Sequence, residues 1–167
     1  MTLAFLSPTN CAEGTTTSPL RRALEAADPQ QVRDLSLEGI VEVRGEVGSV
    51  TPDSGEELVR LSPRRGFLFT AADPLVVVER LRAGGALAYD ATGVYAGIAI
   101  ADERVMRRLT DLELDSIPIA GPFAHVTALF RRGADSWFQV YVHQELGHYV
   151  AEAVLDALAG LENTGWH

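Results

Sequence analysis

The fold is decided by the stretch YDATGVYAGIAI at residues 89–100, which contains two largely apolar runs separated by a turn. Strands are predicted over residues 86–91 and 95–101, because both runs are mainly apolar and Gly93 lies between them. Two consecutive strands of this kind are typical of a sheet that is paired antiparallel.

The second half of the chain continues with helices and strands in alternation. A short helix capped by Asp102 follows, and two prolines then interrupt regular structure. A hairpin is predicted from strands over residues 126–130 and 137–142, and a final helix carries apolar residues at helical spacing until Gly160. The order strand, strand, helix, strand, strand, helix predicts an antiparallel sheet covered by helices on one face, which is an α+β fold.

The first half is expected to form similar elements. A helix is predicted over residues 18–28 from its N-cap and apolar spacing, and a strand over residues 32–44 from alternation. The apolar runs 58–61 and 67–70 flank a turn sequence and are expected to pair as a hairpin. A helix follows over residues 73–83, opened by Asp-Pro and ended by two glycines.

Two segments resemble each other and favour a duplicated unit. DLS at residues 34–36 and DAT at residues 90–92 each place an acidic and a hydroxyl residue before a β-branched strand, 56 positions apart. We therefore expect two related lobes, over about residues 17–84 and 85–160, each with antiparallel sheet covered by helices.

Composition excludes several classes of function. The 167 residues include 14 basic and 23 acidic ones, for a formal charge of −9, and this acidic balance disfavours nucleic-acid binding. Every basic residue is arginine. The absence of lysine excludes Schiff-base chemistry, pyridoxal phosphate attachment and the lysine of a phosphate-binding loop.

The two ends of the chain lack helical or strand periodicity. Residues 1–16 are expected to form a flexible arm and residues 161–167 a frayed tail. The single cysteine, Cys11, lies in the arm and permits no internal disulfide. No basic residue precedes the apolar run 3–6 and no run approaches the ~18 residues of a membrane span, so we predict a cytoplasmic protein without membrane contact.

No metal site is predicted, although histidines and carboxylates are present. His143 and His148 lie beside Glu145, but five positions on a helix correspond to about 140° of rotation, so the two rings diverge. His125 has no identifiable partner for general-base chemistry. The carboxylates at residues 111–115 alternate with leucines and are typical of a solvated face, and the common nucleophile, dinucleotide and phosphate-loop motifs are absent.

Three arginine pairs are candidates for contact with an anionic ligand or with carboxylates of a partner. They are Arg64-Arg65, Arg107-Arg108 and Arg131-Arg132. The aromatic residues in the strand patterns are expected to fill the core or an interface; these are Tyr95, Trp137, Phe138 and Tyr141.

Several stretches resemble the folate-binding aminomethyltransferase family, which includes the T-protein of glycine cleavage. They are RDLS at residues 33–36 and EVRG at residues 42–45. The second half is similar to the gamma subunit of heterotetrameric sarcosine oxidase, a small member of that superfamily. The stretches that carry this resemblance are YDAT at 89–92, YAGIAI at 95–100, Leu109, Asp111-Leu112 and Tyr149. With the opening SPL at 18–20 and the hairpin around Gly133 and Asp135, the resemblance covers roughly residues 18–159.

The resemblance implies two related α+β lobes and a subunit that packs within a larger flavoenzyme. In that family larger flavin-bearing chains hold FAD, FMN, NAD and tetrahydrofolate, and the complex oxidatively demethylates sarcosine. This chain is accordingly expected to bind no cofactor and to have no active site of its own. It departs from the family in having Arg64-Arg65-Gly66-Phe67 where an acidic turn is usual, and the catalytic aspartate of the methyltransferases has no clear counterpart.

Two alternatives remain open. The first is a stand-alone folate-dependent one-carbon transferase, or a homodimer of it, in which arginines hold the folate carboxylates and aromatic rings stack on the pterin. Its candidate cofactor-binding residues are Asp90, Tyr95, Arg64, Arg65 and Trp137, with a turn cap as the other interpretation of Asp90. The second alternative is a small-molecule binding module without catalysis.

Overall fold

Two antiparallel sheets and three helices make up residues 17–133 and 135–162, which the computed structural model describes. The strands are β1 Val32–Asp34, β2 Gly39–Arg44, β3 Glu57–Ser62, β4 Arg65–Thr70, β5 Leu87–Asp90, β6 Tyr95–Ile100, β7 Ile119–Phe123, β8 Val126–Arg132 and β9 Phe138–His143. The helices are α1 Pro74–Ala83, α2 Glu103–Leu109 and α3 Gly147–Glu162. The predicted α+β class is confirmed.

The sheets stack face to face, and helices cover their outer faces. The four-stranded sheet has the order β3-β4-β2-β5, and α1 packs on it through Val77, Val78 and Leu81. The five-stranded sheet has the order β1-β6-β9-β8-β7, and α2 and α3 pack on its outer face. A third buried cluster fills the space between the sheets; its members are Ile40, Val59, Phe67, Phe69, Ala91, Leu129 and Tyr141. Alternation along each strand sends one set of side chains to the helices and the other to the facing sheet.

The chain crosses between the sheets twice, at the two segments that resemble each other. Strand β1 lies in the five-stranded sheet and β2 in the four-stranded one, whereas β5 and β6 are placed the other way round. Strand β1 pairs antiparallel with β6, and β5 pairs antiparallel with β2. Strand β1, which precedes the first crossing, therefore pairs with β6, which follows the second. Strand β5, which precedes the second crossing, pairs with β2, which follows the first.

The predicted boundary near residue 84 does not separate the two sheets. The lobe over residues 17–84 contains β1, which pairs in the sheet of the second half, and the lobe over residues 85–160 contains β5, which pairs in the sheet of the first half. Local patterns cannot show this exchange, since the partners of each strand lie more than 40 positions away in the chain.

Two predicted elements differ in the structure. The helix predicted over residues 18–28 is a series of turns, with separate bonds such as Leu24 N to Leu20 O (3.0 Å) and Ala27 N to Leu24 O (3.1 Å). The segment still packs on the core, through the fully buried Leu20 and the partly buried Ala23, Leu24 and Ala27. The single strand predicted over residues 32–44 is divided into β1 and β2 by the first crossing.

The interruption predicted at Pro118 and Pro122 is wrong in part, because β7 runs through Pro122 at the edge of its sheet, where a residue without an N–H is tolerated. The remaining predicted elements are confirmed with small shifts at their ends. Asp73 and Asp102 cap α1 and α2 by accepting bonds from Leu75 N (2.9 Å) and Arg104 N (2.7 Å). The hairpins β3–β4 and β8–β9 form as predicted. The predicted arm over residues 1–16 lies outside the described residues, as do residues 163–167 of the predicted tail; the first two tail residues continue α3. Among the described helices, none is long and apolar enough to cross a membrane.

Candidate functional site

A pocket of about 350 Å³ opens where the first crossing passes the edge of the interface between the sheets. We call it the crossover pocket. It is lined by Leu37, Glu38, Gly39, Gly55, Glu57, Phe69, Thr70, Ala71, Ala72, Pro74, Thr92 and Arg131. Both crossings contribute, since Leu37, Glu38 and Gly39 belong to the first and Thr92 belongs to the second.

A nearly buried guanidinium joins the two sheets inside this pocket. Arg131 of β8 has a side chain that is 11% exposed, and its Nη1 donates to Glu38 Oε1 at 2.9 Å. Its Cζ lies 4.2 Å from the centre of the Phe69 ring on the facing sheet. The Nε atom lies 2.9 Å from Glu57 Oε2, but its N–H does not point along that line, so the contact is an ion pair without a hydrogen bond. Charge and stacking together hold β8 against β3 and β4.

Tyr141 of β9 fixes the other oxygen of Glu38. Its hydroxyl donates to Glu38 Oε2. Burial, followed by the charge of Glu38 and the hydrogen bond to it, raises the pKa of Tyr141 far above the ordinary tyrosine value, so the hydroxyl stays a donor. Gly97 makes room for the ring, since a Cβ there would lie 2.7 Å from Tyr141 Cε1.

A smaller cavity of about 110 Å³ lies at the opposite end of the same interface, where β4 begins. Tyr95 packs edge-on against Phe67 with ring centres 5.3 Å apart, and beside His143 at 5.1 Å. Burial raises the pKa of Tyr95, and the charge of the nearby Arg65 partly offsets this. Arg65 Nε donates to Glu42 Oε1 at 2.8 Å, so its charge is already paired within the chain.

The structure brings together two of the five residues proposed for folate. Arg65 and Tyr95 both line the smaller cavity, whereas Arg64 is exposed in the β3–β4 turn. Asp90 Oδ1 accepts from Thr92 N at 2.9 Å, which is the geometry of a turn cap. Trp137 lies at the far end of the β6–β9 ladder from Tyr95, beneath the guanidinium of Arg33 at 3.8 Å.

Two other candidate arginines and one candidate histidine also have partners within the chain. Arg107 pairs with Glu103 (2.7 Å) one turn earlier in α2, and Arg132 Nη1 donates to Ser136 O at 2.9 Å. His148 lies 3.2 Å from Glu152, a pair that is ionic only when the imidazole is protonated. Within residues 17–133 and 135–162, no group of three or more histidine, cysteine, aspartate or glutamate side chains could hold a metal ion.

Three charged residues line the crossover pocket, and the sequence indicated one of them and missed the other two. Arg131 was a candidate as part of an arginine pair, whereas Glu38 and Glu57 carried no signal. Glu38 lies 93 positions from Arg131, so no local spacing could join them. Glu38 lies two positions after the DLS segment, and that position by itself points to no site.

No protein-family model matches the sequence, and no curated protein matches it. Among solved structures, heterotetrameric sarcosine oxidase from Corynebacterium sp. U-96, in complex with pyrrole 2-carboxylate, contains a chain that superposes with a TM-score of 0.71 at 13% identity. The fold is that of a sarcosine oxidase chain. The superposition covers 87% of this chain and 95% of the other, so the two have similar lengths. At this identity the likeness concerns the fold, and at that level the resemblance predicted from the sequence is confirmed.

Proposed function

We propose that this chain is a non-catalytic, structural subunit of gamma type in a heteromeric flavoenzyme like sarcosine oxidase. The observation that carries the proposal is the fold match along almost the whole of both chains. A similar fold and a similar length support a similar place in an assembly.

In this proposal the chemistry belongs to larger partner chains. These chains hold FAD, FMN, NAD and tetrahydrofolate, and the complex oxidises the N-methyl group of sarcosine or a related amine and passes the one-carbon unit to tetrahydrofolate. The ion pairs of this chain, Arg131 with Glu38 and Arg65 with Glu42, are then structural contacts between and within its sheets.

Native purification from the source cell tests this function. The chain would carry a C-terminal tag, and the visible spectrum and the masses of the co-purified chains would be recorded. We expect yellow material containing two or three larger chains, with cells that express an unrelated protein with the same tag as the control. Colourless protein that emerges alone would contradict the proposal and would favour a small-molecule binding module.

Calorimetry with tetrahydrofolate tests the alternative that this chain is a stand-alone folate-dependent enzyme. We expect no saturable heat from the isolated chain, because the candidate residues are dispersed and Arg65 is already paired with Glu42. An aminomethyltransferase known to bind folate would be the positive control. A saturable signal that Arg65→Ala and Tyr95→Phe both abolish would instead support the folate-dependent alternative.

A further inference from the structure

We infer that the crossover pocket, together with the exposed start of α1, is the surface on which a larger subunit docks, with an arginine or lysine side chain of that subunit entering the pocket. The inference rests on the proposed function and names the face of the chain that the partner covers. It follows from three features: exposed apolar side chains at the rim, a net negative lining, and a carboxylate with room for a further donor.

The rim of the pocket is apolar and open. Leu37 and Pro74 line the pocket, and Leu75 and Val76 follow Pro74 in the first turn of α1. Leu37 is 53% exposed, Leu75 60% and Val76 61%. Large apolar side chains that are scattered singly over a surface need no explanation. Here one exposed side chain lines the cavity and two more follow within two residues of the lining Pro74, which is typical of a protein–protein contact.

The net charge of the residues that line the crossover pocket favours a cationic side chain of the partner. Two carboxylates, of Glu38 and Glu57, face one guanidinium, of Arg131, so the formal charge is −1. Tyr141 adds none, because its hydroxyl stays protonated while it donates to Glu38. A basic side chain that entered from a partner would neutralise the pocket, whereas an acidic one would be repelled.

Glu57 is the group that such a side chain would reach. Both oxygens of Glu38 already accept bonds, from Arg131 and Tyr141. The side chain of Glu57 is 43% exposed and its contact with Arg131 lacks hydrogen-bond geometry, so its oxygens can accept from a further donor. A guanidinium or ammonium group surrounded by apolar contacts is the kind of partner that fits.

A second exposed apolar pair provides a matched control. Leu87 and Tyr89 of the edge strand β5 are 56% and 46% exposed. Their charged neighbours are mainly basic, since Arg44 is the cross-strand partner of Leu87 and Arg82 lies over the Tyr89 ring at 5.5 Å. The one carboxylate opposite Tyr89, that of Glu42, is already paired with Arg44 and Arg65. Leu75→Arg and Leu87→Arg therefore make the same chemical change at similarly exposed positions on differently charged surfaces.

The test compares variants of the full-length tagged chain in the native purification described above. We expect Leu75→Arg to reduce recovery of the larger flavin-bearing chains at least about tenfold, and Leu87→Arg to leave it within about twofold of wild type. Glu57→Gln, which preserves shape, should reduce recovery by a smaller factor that disappears at high salt, where the charge contribution is screened. Circular dichroism and unfolding by urea would verify that each variant is folded.

The outcomes separate this inference from the proposed function. Full recovery of the larger chains with both Leu75→Arg and Glu57→Gln would overturn the docking surface and leave the proposed function standing. Loss with Leu87→Arg alone would place docking at β5 and overturn the inference in the same way. Wild-type protein that emerges alone, or only with further copies of itself, would overturn both.

Discussion

At the scale of single residues, two hydroxyl groups fix the points where the chain changes sheets. Ser36 Oγ accepts from Gly97 N at 3.2 Å, and Thr92 Oγ1 accepts from Ile40 N at 3.1 Å. In the first segment Asp34 caps the turn by accepting from Ser36 N, and Leu35 N donates to Gly97 O at 2.8 Å. In the second segment Asp90 caps the turn by accepting from Thr92 N, and Ala91 N donates to Ile40 O at 2.8 Å. In each segment the side-chain hydroxyl oxygen thus accepts the hydrogen bond that a backbone carbonyl would accept if the strand continued.

Replacing Ser36 by alanine should destabilise the protein by about 1–3 kcal/mol, because the buried N–H of Gly97 would lose its acceptor. Urea unfolding followed by circular dichroism measures this. The exposed Ser54→Ala is the control and should change the free energy of unfolding by less than about 0.5 kcal/mol. Equal stabilities of the two variants would show that the hydroxyl at Ser36 contributes nothing.

The pKa of Glu42 predicts loss of stability in acid. Burial alone would raise this pKa, but hydrogen bonds from Arg44 and Arg65 outweigh burial and hold the pKa below the ordinary glutamate value. A lowered pKa in the folded state gives a stabilisation that is present above the unfolded pKa of about 4.3 and is lost as the pH falls through the folded pKa. Because both arginines are about half exposed, the effect should be about 1 kcal/mol.

Urea unfolding at pH 7, 5 and 3 would measure this dependence. Glu42→Gln should be less stable than wild type at pH 7, and the difference should shrink at pH 3. The exposed Glu79→Gln serves as a control for loss of a carboxylate in general. A wild-type advantage over Glu42→Gln that persists unchanged at pH 3 would contradict the assignment.

At the scale of elements, α3 lies unusually close to β6 because it begins with a glycine. A Cβ at Gly147 would lie 2.6 Å from Ala96 Cβ and 3.0 Å from Leu20 Cδ2. The backbone of Gly147 is helical, with φ −57° and ψ −45°. Glycine is therefore required here by the close contact between α3 and β6, and not by an unusual backbone conformation. Leu20 packs against the start of α3 at the same point.

Gly147→Ala should therefore destabilise by about 1–3 kcal/mol through overpacking, although alanine favours helix. Thermal and urea unfolding would measure the change. Gly48→Ala is the matched control, because a Cβ there meets no atom within 4 Å, and it should be nearly neutral. If Gly147→Ala proved neutral or stabilising, α3 would not be held against β6 at this point.

At the scale of the whole molecule, one topology occurs twice. Strands β1, β2, β3 and β4 followed by α1 correspond to β5, β6, β8 and β9 followed by α3, with α2 and β7 inserted in the second unit. In the five-stranded sheet β6, the second strand of the second unit, lies beside β1, the first strand of the first unit. In the four-stranded sheet β2 lies beside β5 in the same way. The two units are therefore interlocked, and neither has a complete sheet alone.

This exchange predicts the behaviour of a divided chain. Fragments 1–84 and 85–167, separated at the exposed Gly84-Gly85 turn, should each be largely unfolded alone and should form a folded pair when produced together. Size-exclusion chromatography and circular dichroism would show the pair. A division inside β4, between residues 68 and 69, is the control and should not be rescued. Independent folding of either fragment would contradict the interlocked arrangement.

The sequence by itself determined the α+β class, most elements and the pair of related segments. Alternation, caps and turn residues act over a few positions, so Asp73, Asp102 and the two hairpins could be recognised without a structure. The segments at 34–36 and 90–92 could also be recognised as alike, because the same turn chemistry recurs in both.

The tertiary structure alone decided which strands pair, where the sheets divide, and which polar groups meet. The crossover pocket joins Glu38, Glu57 and Arg131 from two sheets, and the predicted folate residues separate because Trp137 and Tyr95 lie at opposite ends of one ladder. Residues 18–28 also depart from their local pattern, since they pack on the core through Leu20 and Leu24 as turns and not as the predicted helix. Contacts between distant positions depend on the free energy of packing the whole chain, which no local pattern records.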